Sequence, residues 1–133
     1  MDFEDDWRLL RPEPIKVYRG RREPNGCVVE VQHGSLLYPL DPRNDLVNHS
    51  PTGFEWGYAG SGPAQLSFAL LLNYLGEKQL ERVQMTYQRF KFAVIVGLEP
   101  SWELHQNQIQ QILDGFNCPR SCHLSDDPGE IPV

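Results

Sequence analysis

The sequence predicts a small α+β domain in which a three-stranded antiparallel sheet packs on a buried central helix, with two further helices. Three observations support this fold class. Strand-like runs separated by short turns occupy residues 15–40, a dense apolar run occupies 63–75, and apolar residues recur at helical spacing over 78–96. A chain of 133 residues suits one compact domain. We expect a flexible acidic arm over 1–14, the domain over 15–116 and a flexible tail over 117–133.

The three strands are predicted from alternation and from β-branched content. Residues 15–19 alternate apolar and polar side chains, 27–32 are rich in valine, and 35–40 form a third apolar run. Turn residues separate these runs at 23–26 and 33–34. Pro39 favours an edge or a strand end, because it has no amide hydrogen for the ladder. Three strands cannot cover both of their own faces, so one face should lie against the central helix.

The central helix is predicted over residues 63–75, with Ser61 as its amino-terminal cap and Gly76 as a left-handed stop. Apolar side chains point almost all the way round this segment, so we expect it to be covered on several sides. A helix of about 14 residues spans roughly 20 Å, which is too short to cross a bilayer.

Two more helices are predicted, over residues 78–96 and 106–114, with a short connector at 101–104 that an extended conformation would also suit. Phe92, Ile95 and Val96 should broaden the apolar face at the end of the first of them. Its main stripe consists of Leu80, Val83, Tyr87, Phe90 and Val94. The outer face of the second helix is rich in glutamine, which suits contact with another protein or with solvent: Gln106, Gln108, Gln110 and Gln111.

The charge distribution argues against nucleic-acid binding. The net charge is −6, of which residues 1–14 hold −3 and 117–133 hold −2, which leaves a nearly neutral body. Such a body lacks the basic stripe that a nucleic-acid surface usually needs. The set Tyr87, Arg89, Phe90 and Lys91 has the chemistry to stack a base and meet a phosphate, but the same set is typical of a core stripe with a solvated edge.

Cytoplasmic location is expected from the absence of export and membrane signals. The first residues are acidic where a secretory leader would be basic, and no apolar run reaches the length of a membrane span. Three cysteines form an odd number without a disulfide framework, which fits a reducing compartment. Cys118, Cys122 and His123 are credible zinc ligands, with His105 as the nearest fourth candidate, but free thiols on a tail are the simpler interpretation. We therefore predict neither a metal nor a cofactor.

A glycine-rich aromatic loop leads into the central helix, and it admits two interpretations. Glycines at the amino end of a helix allow backbone amides to bind an anion, which here would be held by Gly60, Ser61 and Gly62. Alternatively, the loop is a tight turn packed under the aromatic side chains, with Ser61 as a plain cap. The loop is neither a Walker loop nor a dinucleotide fingerprint, because no Lys-Ser/Thr pair follows it and no strong parallel strand precedes it.

His49 and Glu55 are the titratable residues of this region. His49 beside Ser50 suggests hydrolase chemistry only superficially, because adjacent loop residues seldom face each other as a base and a nucleophile must. A histidine bonded to the loop backbone is the alternative. Glu55 lies between two aromatic residues, so it should pair with Arg43 or with loop amides, or else serve as a ligand-binding carboxylate.

The segment HSPTGFEWGYAGSGPAQL, followed by Tyr87-Gln88 and Phe90-Lys91, resembles a small family of uncharacterised prokaryotic and phage proteins. That family carries a signature close to NHSP-GFEWGYGGSGPAQLALA, and the resemblance runs from about residue 17 to 113. This chain has Ala59 where the family usually has glycine, and Ser67-Phe68 where small apolar residues are usual. The resemblance implies a setting of bacteria and their mobile elements, and it implies no catalytic residues.

These observations predict a non-enzymatic cytoplasmic binding protein that sequesters a nucleotide or another phosphate compound. An alternative from a different class is a protein–protein inhibitor or adaptor, of the kind by which a phage blocks a host defence enzyme, acting through a surface helix or the terminal arms. Hydrolysis through His49 and Glu55 is the third hypothesis. Homo-oligomerisation is compatible with the sequence. The predicted ligand-binding residues are His49, Phe54, Glu55, Trp56, Tyr58, Gly60, Ser61 and Gly62.

Overall fold

A computed structural model describes residues 14–50 and 53–116. Strand β1 is Lys16–Glu23, β2 is Gly26–His33 and β3 is Leu36–Pro39. Helix α1 is Ser61–Leu75, α2 is Leu80–Ala93, strand β4 is Trp102–His105 and α3 is Gln106–Phe116. Short 3-10 turns precede and follow α2, at Glu77–Gln79 and Ile95–Gly97. The predicted α+β class is confirmed.

The sheet has four strands in the order β3-β2-β1-β4, and every neighbouring pair is antiparallel. The prediction of three strands was wrong, because the presumed connector at 101–104 forms β4. Trp102 and Leu104 of β4 are buried while Glu103 is exposed, which is the alternation of a half-buried strand. β4 has four residues, and an alternation of apolar and polar side chains this short is not recognisable in the sequence.

β1 lies at the centre of the sheet and fixes its register. Arg19, in the middle of β1, lies opposite Glu30 on β2 and Glu103 on β4. Arg19 bonds Glu103 through Nε at 3.1 Å. A one-residue slip would place these charges in the core, so the register is strongly specified even though each exposed ion pair contributes little on its own.

Helix α1 is the centre of the core, as predicted. Eleven consecutive residues, from Gly62 to Leu72, are buried. Its apolar side chains belong to one cluster with inward residues of the sheet, such as Tyr18 and Val31, and with Val83 and Phe90 of α2. A helix that is apolar all round must be covered on several sides, and α1 satisfies this requirement.

The amino-terminal cap of α1 differs from the prediction. Gly60, not Ser61, occupies the cap position, and no side chain among the described residues caps the helix. Ser61 is the first helical residue and is exposed. The Ala64 amide donates to the Gly60 carbonyl at 3.0 Å, so the hydrogen-bonded helix begins one residue earlier than a serine cap would require.

The helix predicted over 78–96 is shorter and is flanked by 3-10 turns, because its α-helical part ends at Ala93. Val83 and Phe90 are buried as expected. The expectation that Phe92 would broaden the apolar face was wrong, since Phe92 is 60% exposed. In α3, Ile109 and Leu113 face inward as predicted.

None of the helices in the described residues is long and apolar enough to span a membrane. The predicted arm, 1–14, lies outside the described residues except for Pro14, and the predicted tail, 117–133, lies outside them entirely.

Candidate functional site

A buried glutamine attaches the loop between β3 and α1 to the core. The Gln65 side chain on α1 is fully buried, and its Oε1 accepts the amides of His49 at 2.7 Å and Ser50 at 3.2 Å. Its Nε2 donates to the carbonyls of Pro42 at 2.6 Å and Val47 at 2.8 Å. One amide side chain therefore satisfies four backbone groups that no regular structure pairs.

Two hydrogen bonds hold His49, one through its backbone and one through its ring. Its amide bonds Gln65, and its ring Nε2 lies 2.6 Å from the Tyr87 hydroxyl on α2. Tyr87 is itself fixed, because its carbonyl accepts the Ser67 hydroxyl at 2.6 Å and its ring packs edge-on against Phe68. The histidine thus joins the loop to two helices.

Glu55 pairs with Arg22 at the end of β1. The Arg22 Nη1 lies 2.6 Å from Glu55 Oε1 and 3.2 Å from the Cys27 sulfur, and Nη2 donates to the Trp56 carbonyl at 3.0 Å. The expected partner Arg43 was therefore wrong, because Arg43 pairs with other carboxylates of its own neighbourhood. The Arg22 hydrogen bond lowers the pKa of Glu55, whereas burial raises the pKa of the Cys27 thiol.

The three aromatic residues of the loop have different environments. Trp56 is fully buried and packs edge-to-face on Trp102 of β4, with ring centroids 5.5 Å apart. The Arg22 guanidinium covers the Trp56 ring at 4.8 Å. Phe54 is half-buried against the core, and Tyr58 is 51% exposed. Among the predicted stacking residues, Tyr58 is the one that presents a large ring surface to solvent.

Backbone conformation and close packing explain why glycine occupies three positions of the loop. Gly57 has a φ of +86°, which favours glycine, and its amide donates to the Ile95 carbonyl at 3.0 Å. A Cβ on Gly60 would lie 2.9 Å from the Tyr58 ring, and a Cβ on Gly62 would lie 2.7 Å from the Glu55 Cβ. The interpretation as a tight turn packed under side chains accounts for all three positions.

Among the described residues, two amides in the first turn of α1 have no hydrogen-bond partner. Pro63 has no amide hydrogen and the Ala64 amide is bonded, so Ser61 and Gly62 carry the amides that an amino-terminal cap would have satisfied. Gly62 is buried and Ser61 is exposed. The helix dipole favours an anion at this position, and the ion-paired Glu55 lies directly against it.

The structure brings the predicted residues from Phe54 to Gly62 together with Arg22 and Cys27, which sequence reasoning missed. His49 belongs instead to the cluster around Gln65 and Tyr87. The signal for Arg22 was its strand phase: it follows Tyr18 and Gly20 at two-residue steps on the inward face of β1. No group of three or more His, Cys, Asp or Glu residues suited to a metal occurs in the described ranges, and the candidates Cys118, Cys122 and His123 lie outside them.

A second exposed feature lies on α2, away from this loop. Met85 is 77% exposed and Phe92 is 60% exposed, and seven residues place them on the same side of the helix. Gln88 and Arg89 between them are also exposed. We call these four residues the outer α2 face.

Comparison with known proteins shows the family of the chain. No match was found among the curated proteins or among the solved structures. A family model described as a family of unknown function, DUF6166, matches residues 18–115, which covers β1 through nearly all of α3. The chain therefore belongs to this family of unknown function, DUF6166.

Proposed function

We propose that this protein is a non-enzymatic binding protein that contacts another protein through the outer α2 face. The supporting observation is the exposure of Met85 and Phe92, two large apolar side chains two helical turns apart. The opposite side of α2 packs on the core through Val83 and Phe90. Within the described part of the chain, both side chains therefore keep more than half of their surface for a partner.

The chemistry of the outer α2 face suits a protein partner. Burying a methionine or phenylalanine side chain stabilises a complex by about 1.5–3 kcal/mol, and methionine adapts to irregular surfaces. The exposed Arg89 borders this apolar pair, and its guanidinium lies 4.5 Å from the Phe116 ring centroid. Lys91, whose Nζ lies 4.4 Å from the Phe92 ring centroid, is itself buried. We infer a partner with an apolar cleft and an acidic group at its edge, opposite Arg89.

The role we favour is that of an inhibitor or adaptor in the cytoplasm of bacteria, including a phage product that blocks a host defence enzyme. The odd number of cysteines supports a reducing compartment. The nearly neutral body argues against a nucleic-acid partner. His49 and Glu55 have separate partners, Tyr87 and Arg22, which disfavours hydrolysis through this pair.

We expect a photo-crosslinking amino acid at position 92 to capture the partner in a bacterial host, and one at Gln111, an exposed position of α3, to capture little of it. With the captured protein purified, Met85→Glu/Phe92→Glu should weaken binding by at least about 100-fold, because two buried apolar anchors would become charged. The affinity is measured by titration calorimetry.

The matched control is Asn107→Asp/Gln111→Glu, which adds the same charge at two exposed positions of α3, outside the outer α2 face. It should bind within about threefold of the unmodified protein, since substitutions away from the contact change binding little. Equal crosslinking at both positions, or equal affinities for both double variants, would contradict the proposed contact.

A second candidate is the sequestration of a phosphate compound at the amino end of α1. The observation that favours it is the pair of uncapped amides on Ser61 and Gly62 beside the exposed Tyr58 ring. These amides would meet the phosphate while Tyr58 stacks the base. The burial of Trp56 and the packing of Glu55 on Gly62 make this candidate the weaker of the two.

For this second candidate, ATP at one hundred times its dissociation constant should stabilise the protein by about 2.7 kcal/mol in thermal unfolding. Gly60→Val should abolish the stabilisation, because the added side chain meets the Tyr58 ring at the mouth of the site. Gly97→Val, at a position with open space around it, should retain the stabilisation. Equal responses of the two variants would exclude the site.

A further inference from the structure

A small cavity lies between the segment that follows β3 and the carboxyl-terminal half of α1. Its volume is about 120 Å³, and it is lined by Asp41, Arg43, Ala69, Leu72 and Asn73. A cavity of about 150 Å³ holds a benzene molecule, so this one accommodates a group of slightly smaller size. Ala69 and Leu72 supply an apolar wall, and the other three residues supply polar groups.

Two residues of β1 fix the orientation of the Asn73 side-chain amide. Its Oδ1 accepts the Tyr18 hydroxyl at 2.8 Å and the Lys16 Nζ at 3.1 Å. An ammonium can only donate, so the atom that it contacts must be the oxygen and not the nitrogen. Among the described residues the Nδ2 of this amide has no partner, and Asn73 lines the cavity, so this nitrogen is the donor that Asn73 offers there.

Asp41 supplies an acceptor to the same cavity. Its Oδ1 accepts the Arg43 amide at 2.9 Å, which leaves the second carboxylate oxygen for another donor. Arg43 does not compete for it, because its guanidinium is engaged by Asp45 at 3.0 and 3.1 Å and by Glu77 at 2.6 Å. The polar wall thus offers one donor and one acceptor.

Backbone strain coincides with the cavity. Arg43 has a φ of +56°, and within the described ranges it is the one non-glycine residue with a positive φ. Its carbonyl accepts the amides of Leu46 and Val47, at 3.0 and 3.2 Å, so the turn holds this conformation. Strain of this kind costs about 1–3 kcal/mol and concentrates at functional sites.

We propose that this cavity binds a primary carboxamide, either the side chain of a glutamine or asparagine from a partner or a small free amide. The carbonyl oxygen of the ligand accepts from Asn73 Nδ2, its amide nitrogen donates to Asp41, and its methylene groups contact Ala69 and Leu72. A carboxylate would meet Asp41 unfavourably, and a guanidinium would leave the Asn73 donor without an acceptor.

Propionamide, guanidinium chloride and sodium acetate are titrated separately into the ¹⁵N-labelled full chain and followed by NMR. Propionamide should shift the Asn73 side-chain signal and the Ala69 and Leu72 amides with a dissociation constant on the order of 1–10 mM, as five heavy atoms permit. Guanidinium and acetate should bind at least about tenfold more weakly. A glycine-rich peptide with one glutamine distinguishes the two sources, because a partner's side chain should bind more tightly than propionamide.

Two nearly isosteric variants test the roles of the polar residues. Asp41→Asn still accepts the Arg43 amide but loses the acceptor for the ligand, so propionamide affinity should fall by about tenfold, the equivalent of 1.4 kcal/mol. Asn73→Asp still accepts Lys16 and Tyr18 but loses the donor, so the preference should reverse from propionamide to guanidinium. Gln111→Glu, on the exposed face of α3, should behave like the unmodified protein. Absence of shifts at Asn73, or an unchanged ligand preference in Asn73→Asp, would overturn the proposal.

Discussion

Gln65→Leu is expected to lower the free energy of unfolding by about 4 kcal/mol, because each of four backbone groups loses its partner at a cost of about 1–3 kcal/mol. The groups are the amides of His49 and Ser50 and the carbonyls of Pro42 and Val47. Leucine fills a similar volume, so the loss reports the hydrogen bonds and not a cavity. Urea unfolding measures it, and a domain with a total stability of about 5–15 kcal/mol makes it easily visible.

The control for Gln65→Leu is Gln111→Leu, which makes the same exchange on the exposed face of α3 and should change stability by no more than about 0.5 kcal/mol. If Gln65→Leu does not fold, Gln65→Asn reports the same bonds, because the shorter side chain cannot reach all four groups. Hydrogen exchange at His49 and Ser50 should then be faster than in the unmodified protein. An equal effect of the two leucine variants would refute the role of this side chain.

Gly20→Ala is expected to destabilise the protein by about 3 kcal/mol, the upper end of the usual cost of overpacking a core. A Cβ at this position would lie 2.3 Å from the Trp102 Cε2, far closer than van der Waals contact allows. Trp102 cannot move freely, because it packs edge-to-face on the buried Trp56. The near-ultraviolet circular dichroism of the tryptophans should change together with the unfolding midpoint.

Gly97→Ala is the matched control, since a Cβ there meets nothing within 4 Å and the backbone is not left-handed. It should unfold like the unmodified protein. A compensating pair, Gly20→Ala/Trp102→Leu, should recover part of the loss relative to Gly20→Ala, because the smaller side chain vacates the space. Failure of the pair to recover any stability would assign the effect of Gly20→Ala to the strand backbone.

Much of the fold could be predicted because its signals are local. The alternation in β1 and the nearly continuous apolar surface of α1 are written in neighbouring residues, and both elements appear where expected. β4 could not be predicted, because its four residues form a strand by pairing with the distant β1, where Gly20 lies opposite Trp102. The close approach of that glycine to that indole is a tertiary fact with no local signature.

The candidate site shows the same division between local and non-local information. The cluster from Phe54 to Gly62 was predicted from composition, because glycines and aromatics before a helix are a local pattern. The pairing of Glu55 with Arg22 joins residues 33 positions apart, and sequence reasoning named Arg43 as the partner instead. Gln65 did not stand out within the predicted helix. Its role depends on hydrogen bonds to loop amides and carbonyls that lie 15 to 23 residues earlier in the sequence.

The position of β4 has a consequence for how the chain reaches this state during synthesis. β1 is made before β4, so one of its two edges stays open until Trp102–His105 leaves the ribosome about 85 residues later. A partly synthesised chain therefore carries an unpaired strand edge and an uncovered Gly20 surface, features that invite association with other chains. Pairing with β4 removes that exposed edge only after the helices between the two strands have been made.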